Sequence, residues 1–180
     1  MSYPHEFSGG MRQRVVIALA LAAEPKVIIA DEPTTALDVS VQAQIIALLK
    51  RLTRERGMAV MLITHDMGVI AQIANRVAVM YAGKIVEIGP VAEVVRRPAH
   101  PYSVGLMGSI PSLHVEQPRL RQIAGSMPRL TALPVGCAFN TRCDRVEARC
   151  LAERPVLAAV DRSQAACFNP IARASAEVAE

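Results

Sequence analysis

Val27 to Asp38 reads VIIADEPTTALD. Four aliphatic residues run into two adjacent carboxylates, Asp31 and Glu32, and then into Pro33, which stops a strand. A continuous apolar run of this length predicts a parallel strand buried on both faces, and parallel sheets bind their ligands just beyond the carboxyl ends of their strands. Asp31 and Glu32 stand at that edge. Working outward on the amino-terminal side, Ser8 is a good helix cap ahead of the apolar pattern of residues 15–23. Gly9 and Gly10 leave backbone N–H groups open at the positive end of that helix, where an anion is at home. On the other side, a helix from Ser40 carries Ile45, Leu48, Leu49 and Leu52 on one face and ends at Gly57. Met58–Thr64 then predicts a second buried strand, and His65 follows it on the same rim as Asp31 and Glu32 if the two strands are parallel. Met67–Ile73 reads as a short helix. Asn75–Tyr81 and Lys84–Gly89 read as an antiparallel hairpin, joined at Ala82-Gly83, that finishes the sheet.

Composition narrows the function classes. Of 180 residues 52% are hydrophobic, which excludes wholesale disorder. The 20 Lys and Arg against 16 Asp and Glu are spread evenly, and aromatics are only 3%, so there is neither a basic block for phosphates nor a platform for bases. Nucleic acid is therefore not an expected partner. The longest apolar run, Val15–Ala23, is about half of the ~18 residues a membrane span needs. Arg12, Arg14 and this run resemble a signal peptide, but the long segment ahead of them, with His5 and Glu6, is unlike a short basic leader. The four cysteines are accordingly expected in a reducing compartment.

From Pro98 onward the composition changes: Pro98, Pro101, Pro111, Pro118, Pro128 and Pro134 punctuate short apolar pieces. The expected division is a compact α/β core over 1–97 and an appendage over 98–180. Cys137, Cys143, Cys150 and Cys167 in the appendage are spaced C-x5-C-x6-C-x16-C, with no C-x2-C knuckle of the zinc-finger kind. Four soft thiolates within about thirty residues can hold a four-iron cluster if the loop brings them to one point. Reduced thiols used as small core residues, or disulfides, are the other readings.

Taken in order, FSGGMRQR, DEPT, TALD and LITHD resemble the signature, Walker B, D-loop and H-loop motifs of ATP-binding cassette (ABC) ATPases. The family's signature commonly reads LSGGQ; Phe7 and Met11 depart from it at positions that touch packing more than phosphate. The segment HPYSVGLMGSIPSL, His100–Leu113, resembles the carboxyl-terminal extension of the ATPase subunits of oligopeptide and dipeptide importers. The resemblance implies a partial P-loop NTPase (RecA-like) nucleotide-binding domain followed by a cysteine-containing extension. It implies that Asp31 holds Mg²⁺, that Glu32 is the general base toward the attacking water, and that His65 contacts the γ-phosphate and orients that water. Ser8, Gly9 and Gly10 would contact ATP held by a partner subunit, and Asp38 would communicate across that interface. Some importers of this branch carry cysteines around a GCxFxxRC core, matched here by Gly136–Cys143, and bind a 4Fe-4S cluster. The implied partners are a second ABC ATPase subunit, membrane permease subunits and, through them, a peptide-binding protein. The implied location is peripheral, on the cytoplasmic face of the plasma membrane.

No G-x-x-x-x-G-K-[ST] occurs in the 180 residues, and none of Lys26, Lys50 and Lys84 lies in a phosphate-binding loop. The sequence thus reads as somewhat over half of such a subunit, its carboxyl-terminal portion, and the expectation is that this chain alone binds and hydrolyses ATP poorly. Two other readings compete: a non-catalytic interaction or regulatory protein using the signature face and the cysteines, and a soluble cassette ATPase of repair or translation.

Overall fold

The computed structural model of the chain describes residues 3–110 and 122–171. It divides into two compact units, Met1–Ile73 and Ala74–Glu180. The division falls earlier than the change of composition at Pro98, because the hairpin read as part of the core pairs with strands of the appendage instead.

The first unit is a two-stranded parallel sheet, β1 (Val27–Asp31) and β2 (Ala59–Ile63), with three helices, α1 (Gly9–Leu21), α2 (Val39–Arg56) and α3 (Met67–Ile73). Each helix starts where the chain supplies an acceptor for orphan N–H groups. Ser8 accepts from Met11 N at 3.4 Å for α1, and Asp38 accepts from Val41 N at 2.8 Å for α2. Gly57, at φ 62°, takes the left-handed position that closes α2. The core gathers Ile17 from α1, Ile28 from β1, Ile45, Leu49 and Leu52 from α2, and Met58, with Ala30 and Val60 against it. Burying each large aliphatic here contributes about 1.5–3 kcal/mol.

One expectation fails in this unit. VIIAD was read as covered on both faces, yet Val27, Ile29 and, across the register, Met61 and Ile63 are exposed. The two-stranded sheet presents only its Ile28–Val60 side to the helical core, and strand alternation turns the intervening residues outward.

The second unit is a four-stranded antiparallel sheet in the order β3-β4-β6-β5: β3 (Arg76–Tyr81), β4 (Lys84–Pro90), β5 (Ala158–Val160) and β6 (Ser163–Ala165). The hairpin forms as predicted, but it does not finish the β1–β2 sheet. Its β4 edge pairs with β6 from the appendage, Glu87 against Ala165 and Ile88 against Gln164. Helices α4 (Val91–Arg96), α5 (Pro101–Gly108) and α6 (Ala148–Ala152) complete it. Pro111–Leu113 of the HPYSVGLMGSIPSL segment, and Pro118, lie outside the described residues.

The His-Pro-Tyr at the head of α5 fastens the appendage to the hairpin. The buried Glu87 carboxylate accepts N–H from Ala99 at 2.8 Å and from His100 at 3.0 Å. Tyr81, Tyr102 and Phe139 meet ring to ring, with Tyr81–Tyr102 centroids 4.7 Å apart and Tyr81–Phe139 at 5.2 Å, edge to face. His100 Nδ1 accepts the Tyr102 N–H at 3.0 Å, which leaves the ring proton on Nε2, bonded to the Ala166 backbone. A second proton would break the Tyr102 bond and charge a buried ring, so burial pushes the His100 pKa down to about 4. With the folded value below the ordinary 6.5, the stabilisation is present above about pH 6.5 and is lost as pH falls toward 4. Chemical unfolding of this unit should therefore weaken by roughly 3 kcal/mol over that window, and His100→Gln should remove most of the pH dependence.

Candidate functional site

The parallel register sets Asp31 beside Ile63, so the chain leaves both strands at one rim. There Glu32 N–H bonds Ile63 O at 2.9 Å, and Glu32 turns out of the strand at φ 47°. A non-glycine residue in the left-handed region costs of order 1–3 kcal/mol, a strain found preferentially at functional sites. The turn aims the Glu32 carboxylate at two side chains. His65 Nδ1–H donates to Oε1 at 2.8 Å, and Thr35 Oγ1 donates to Oε2 at 3.0 Å. The hydrogen bond from His65 lowers the Glu32 pKa despite some desolvation, and the same bond, helped by the carboxylate's charge, raises that of His65. Asp31 stays in β1 on the uncovered face, separated from its neighbour by a change of backbone conformation as well as by strand alternation.

His65 is carried on a pinned turn. Asp66 Oδ1 accepts from Gly68 N at 2.8 Å and Val69 N at 3.2 Å, its Oδ2 accepts Gln42 Nε2 at 3.0 Å, and its own N–H donates to Thr64 Oγ1 at 3.1 Å. Partial burial opposes ionisation of Asp66, but the donors from Val69, Gln42 and Gly68 outweigh it and lower its pKa. Thr35, Gln42 and Asp66 escaped the reading of the sequence. For Asp66 a signal existed: an Asp two residues before a Gly, at the head of an apolar helix, is a capping pattern.

Ser8, Gly9 and Gly10 form the first turn of α1, with exposed Ser8 and Gly9. Arg12 fastens the segment ahead of them through Phe7 O and His5 O, both at 3.0 Å. Gly10 is set by a close approach, since a Cβ there would stand 2.4 Å from Val41 Cγ1 on α2. A Cβ on Gly9 would likewise stand 3.0 Å from Leu37 Cδ2, so the Ser8–Gly10 turn and the TALD loop are packed together. Asp38 is committed to the head of α2, where bonds from Ser40 Oγ at 2.7 Å and Val41 N at 2.8 Å hold its pKa low.

In the second unit Cys137, Cys143, Cys150 and Cys167 are all free and all line one cavity of about 10 Å³, with His100, Phe139 and Asn140 among the other walls. Cys137 N–H bonds Cys150 O at 2.8 Å, which draws the GCAFNTRC loop against α6. Burial pushes the thiols of Cys137 and Cys143 up, and that of Cys167 to about 11. Among the described residues no group of three His, Cys, Asp or Glu is arranged to hold a metal ion. None of the helices in the described residues is long and apolar enough to cross a membrane.

A family model described as "ABC transporter" matches residues 1–35, and one described as "Oligopeptide/dipeptide transporter, C-terminal region" matches residues 86–150. The oligopeptide transport ATP-binding protein OppD of Salmonella typhimurium is 51% identical over 169 residues, covering 94% of this chain and 50% of that protein. The dipeptide transport ATP-binding protein DppD of Bacillus subtilis is 57% identical over 141 residues, covering 78% of this chain and 42% of that one. The chain spans about half the length of the curated relatives it matches. Among solved structures, a putative metal-chelate type ABC transporter in an inward-facing conformation matches at TM-score 0.51 and 30% identity, over 58% of this chain and 39% of its own.

Proposed function

Because the chain belongs to the ATP-binding proteins of the oligopeptide/dipeptide branch of ABC transporters, we propose that it supplies the signature, catalytic-carboxylate and His elements of an ATPase subunit that energises peptide import. One observation carries the reading: Glu32 and His65, 33 residues apart in sequence, meet at 2.8 Å on the rim of a parallel sheet. In this reading the ionised Glu32 accepts the proton of the attacking water, and His65 holds that carboxylate before turning to the γ-phosphate. Asp31, an exposed carboxylate at a strand end, would hold magnesium, which neutralises phosphate charge when bound. Ser8, Gly9 and Gly10 offer N–H groups and a hydroxyl to a phosphate bound on a second ATPase subunit, and Asp38 fixes the loop behind them. Membrane permease subunits and, through them, a peptide-binding protein would complete the assembly, with this subunit peripheral at the cytoplasmic face of the membrane.

The test is to fuse the chain, in frame, behind the half of the Salmonella typhimurium OppD that it does not match. Magnesium-dependent ATP hydrolysis should appear in the fusion and be absent from the 180-residue chain, which has no G-x-x-x-x-G-K-[ST]. Turnover by the chain alone, or a folded fusion without turnover, would overturn the reading.

We infer an iron–sulfur group in the second unit from the donor chemistry alone: four soft sulfurs line one cavity, although among the described residues no three of them are placed around one metal ion. Cys137, Cys143, Cys150 and Cys167 would hold it, and one-electron chemistry is what such a group supplies when bound. Anaerobically purified chain should then carry iron and acid-labile sulfide and absorb in the visible; colourless, iron-free protein after reconstitution would sink this part.

A further inference from the structure

We propose that Gln42 is a positioning residue for the Glu32–His65 pair: its carboxamide ties the turn that carries His65 to the first turn of α2, and so keeps the imidazole against Glu32. The role rests on the reading of that pair as the reacting one. Most bonds of the His65 turn are local. Asp66 N–H meets Thr64 Oγ1 at 3.1 Å, and Asp66 Oδ1 receives Gly68 N–H at 2.8 Å and Val69 N–H at 3.2 Å. These bonds shape the turn without fixing where it stands against the rest of the unit. Gln42, 24 residues away in sequence, supplies that, since its Nε2–H reaches Asp66 Oδ2 at 3.0 Å. An ionised carboxylate only accepts, so the amide must present its N–H side and the bond has one orientation. Lys50 Nζ also reaches α3, at Gln72 O and 3.4 Å, but at the end of that helix remote from His65.

What stands behind Gln42 gives the bond its meaning. Gln42 N–H closes the first turn of α2 onto Asp38 O at 2.8 Å, and the neighbouring Val41 is the residue that a Cβ on Gly10 would strike. The bond therefore joins His65 to the element that is capped by Asp38 and abuts the Ser8–Gly10 turn. On its other side, His65 offers Nδ1–H to Glu32 Oε1 at 2.8 Å from a side chain 84% exposed. A ring with so little packed around it is placed by its backbone and by that one bond. A retreat of the turn by about 1 Å ends the bond.

The experiment compares wild type with three variants. Gln42→Met keeps the length and loses the donor, and Gln42→Glu sets one carboxylate against another. In Asp66→Asn the Gln42 amide turns half round to accept from the new N–H, so the link survives and the charge does not. In the 180-residue chain, at a pH above the titration of His65, ring-nitrogen NMR shifts report which nitrogen carries the proton. Free histidine prefers Nε2–H, whereas donation to Glu32 requires Nδ1–H. Wild type and Asp66→Asn should show the Nδ1–H form. Gln42→Met and Gln42→Glu should revert toward Nε2–H, Glu the further, while thermal unfolding stays close to wild type. In the fusion with the unmatched half of OppD, both Gln42 variants should lose about 10–10²-fold in kcat at unchanged KM for ATP, the scale of a misplacement of about 1 Å. A bond that served only to pack α2 on α3 would lower the unfolding temperature and leave the tautomer where it was. The wild-type tautomer in both Gln42 variants thus overturns the role, as does a shifted tautomer with undiminished kcat. Reversion in Asp66→Asn equal to that in Gln42→Met overturns it in favour of the carboxylate's charge. A wild-type fusion without turnover overturns instead the reading of the pair as reacting groups, and the tautomer alone then decides whether Gln42 places His65.

Discussion

In the fusion that restores a phosphate-binding loop, Glu32→Gln is expected to cut ATP hydrolysis by about 10²–10⁴-fold while leaving ATP binding nearly intact. The reason is local. Gln keeps the size of the side chain and can still bond Thr35 and His65, but it cannot take a proton from water. If Glu32 served only to position His65, Gln would retain most of the activity, and a loss below tenfold would defeat its assignment as base. The 180-residue chain offers a second readout that needs no turnover. His65 bonds Glu32 at 2.8 Å, and that bond together with the carboxylate's charge raises the His65 pKa. Its imidazole should titrate above the ordinary 6.5 in wild type, and the midpoint should fall in Glu32→Gln when followed by ring-proton NMR. The folded His65 value is the raised one, so its contribution to stability is complete below the unfolded pKa and fades as pH rises through the folded pKa. On the acid side the lowered Glu32 value works the other way: that contribution is present above its unfolded pKa and is lost as pH falls through the folded one. The His65 side chain is largely in solvent, at 84% exposed, and that of Glu32 is 37% exposed, so the pair is a positional device more than a source of stability.

How much of this was legible in the sequence differs between the two units, for physical reasons. The first unit is built from local signals. Ser8 and Asp38 cap helices, Gly57 ends one, and VIIAD and AVMLI are strands by composition; motif order then put Glu32 and His65 on one rim. What local pattern does not carry is what covers a face. VIIAD has the composition of a strand buried on both sides, and only the structure shows Val27 and Ile29 uncovered here. Nor does pattern reveal that Glu32 leaves the strand with positive φ, because nothing about a Glu announces the left-handed region. In the second unit the decisive contacts are long in sequence. The β4–β6 pairing joins Glu87 to Ala165, and Glu87 reaches Ala99 and His100 through a buried carboxylate that reads, in sequence, as an ordinary strand charge. The cysteine spacing announced four donors, but that they line one cavity is a product of the turn at Asn140 and the docking of α6.

Gly136→Ala should be the most disruptive single methyl in that unit. Gly136 is buried where the GCAFNTRC loop meets α6, and a Cβ there would stand 2.1 Å from the Cys150 carbonyl oxygen and 2.7 Å from the Leu151 carbonyl carbon. Those atoms are backbone, so no rotamer change relieves the clash. Nor is the carbonyl free to move, since it accepts Cys137 N–H at 2.8 Å and the Asn140 amide at 3.4 Å. Either the loop or α6 must shift by an ångström or so, and both carry cysteines of the cavity. Inserting a methyl into a packed interior costs about 1–3 kcal/mol, and a backbone neighbour puts this site at the upper end, about 3 kcal/mol. The chemical signature is sharper than the energy. Cys150 is 7% exposed and should resist alkylation under native conditions in wild type, whereas in Gly136→Ala it should label at a rate approaching that of the unfolded chain. Mapping the alkylated cysteine by mass spectrometry distinguishes opening of this loop from general unfolding, because β3 and β4 pair with each other independently of it and should keep their amide protection. If Gly136→Ala unfolds like wild type and keeps Cys150 protected, then the contact between loop and α6 does not close the cavity.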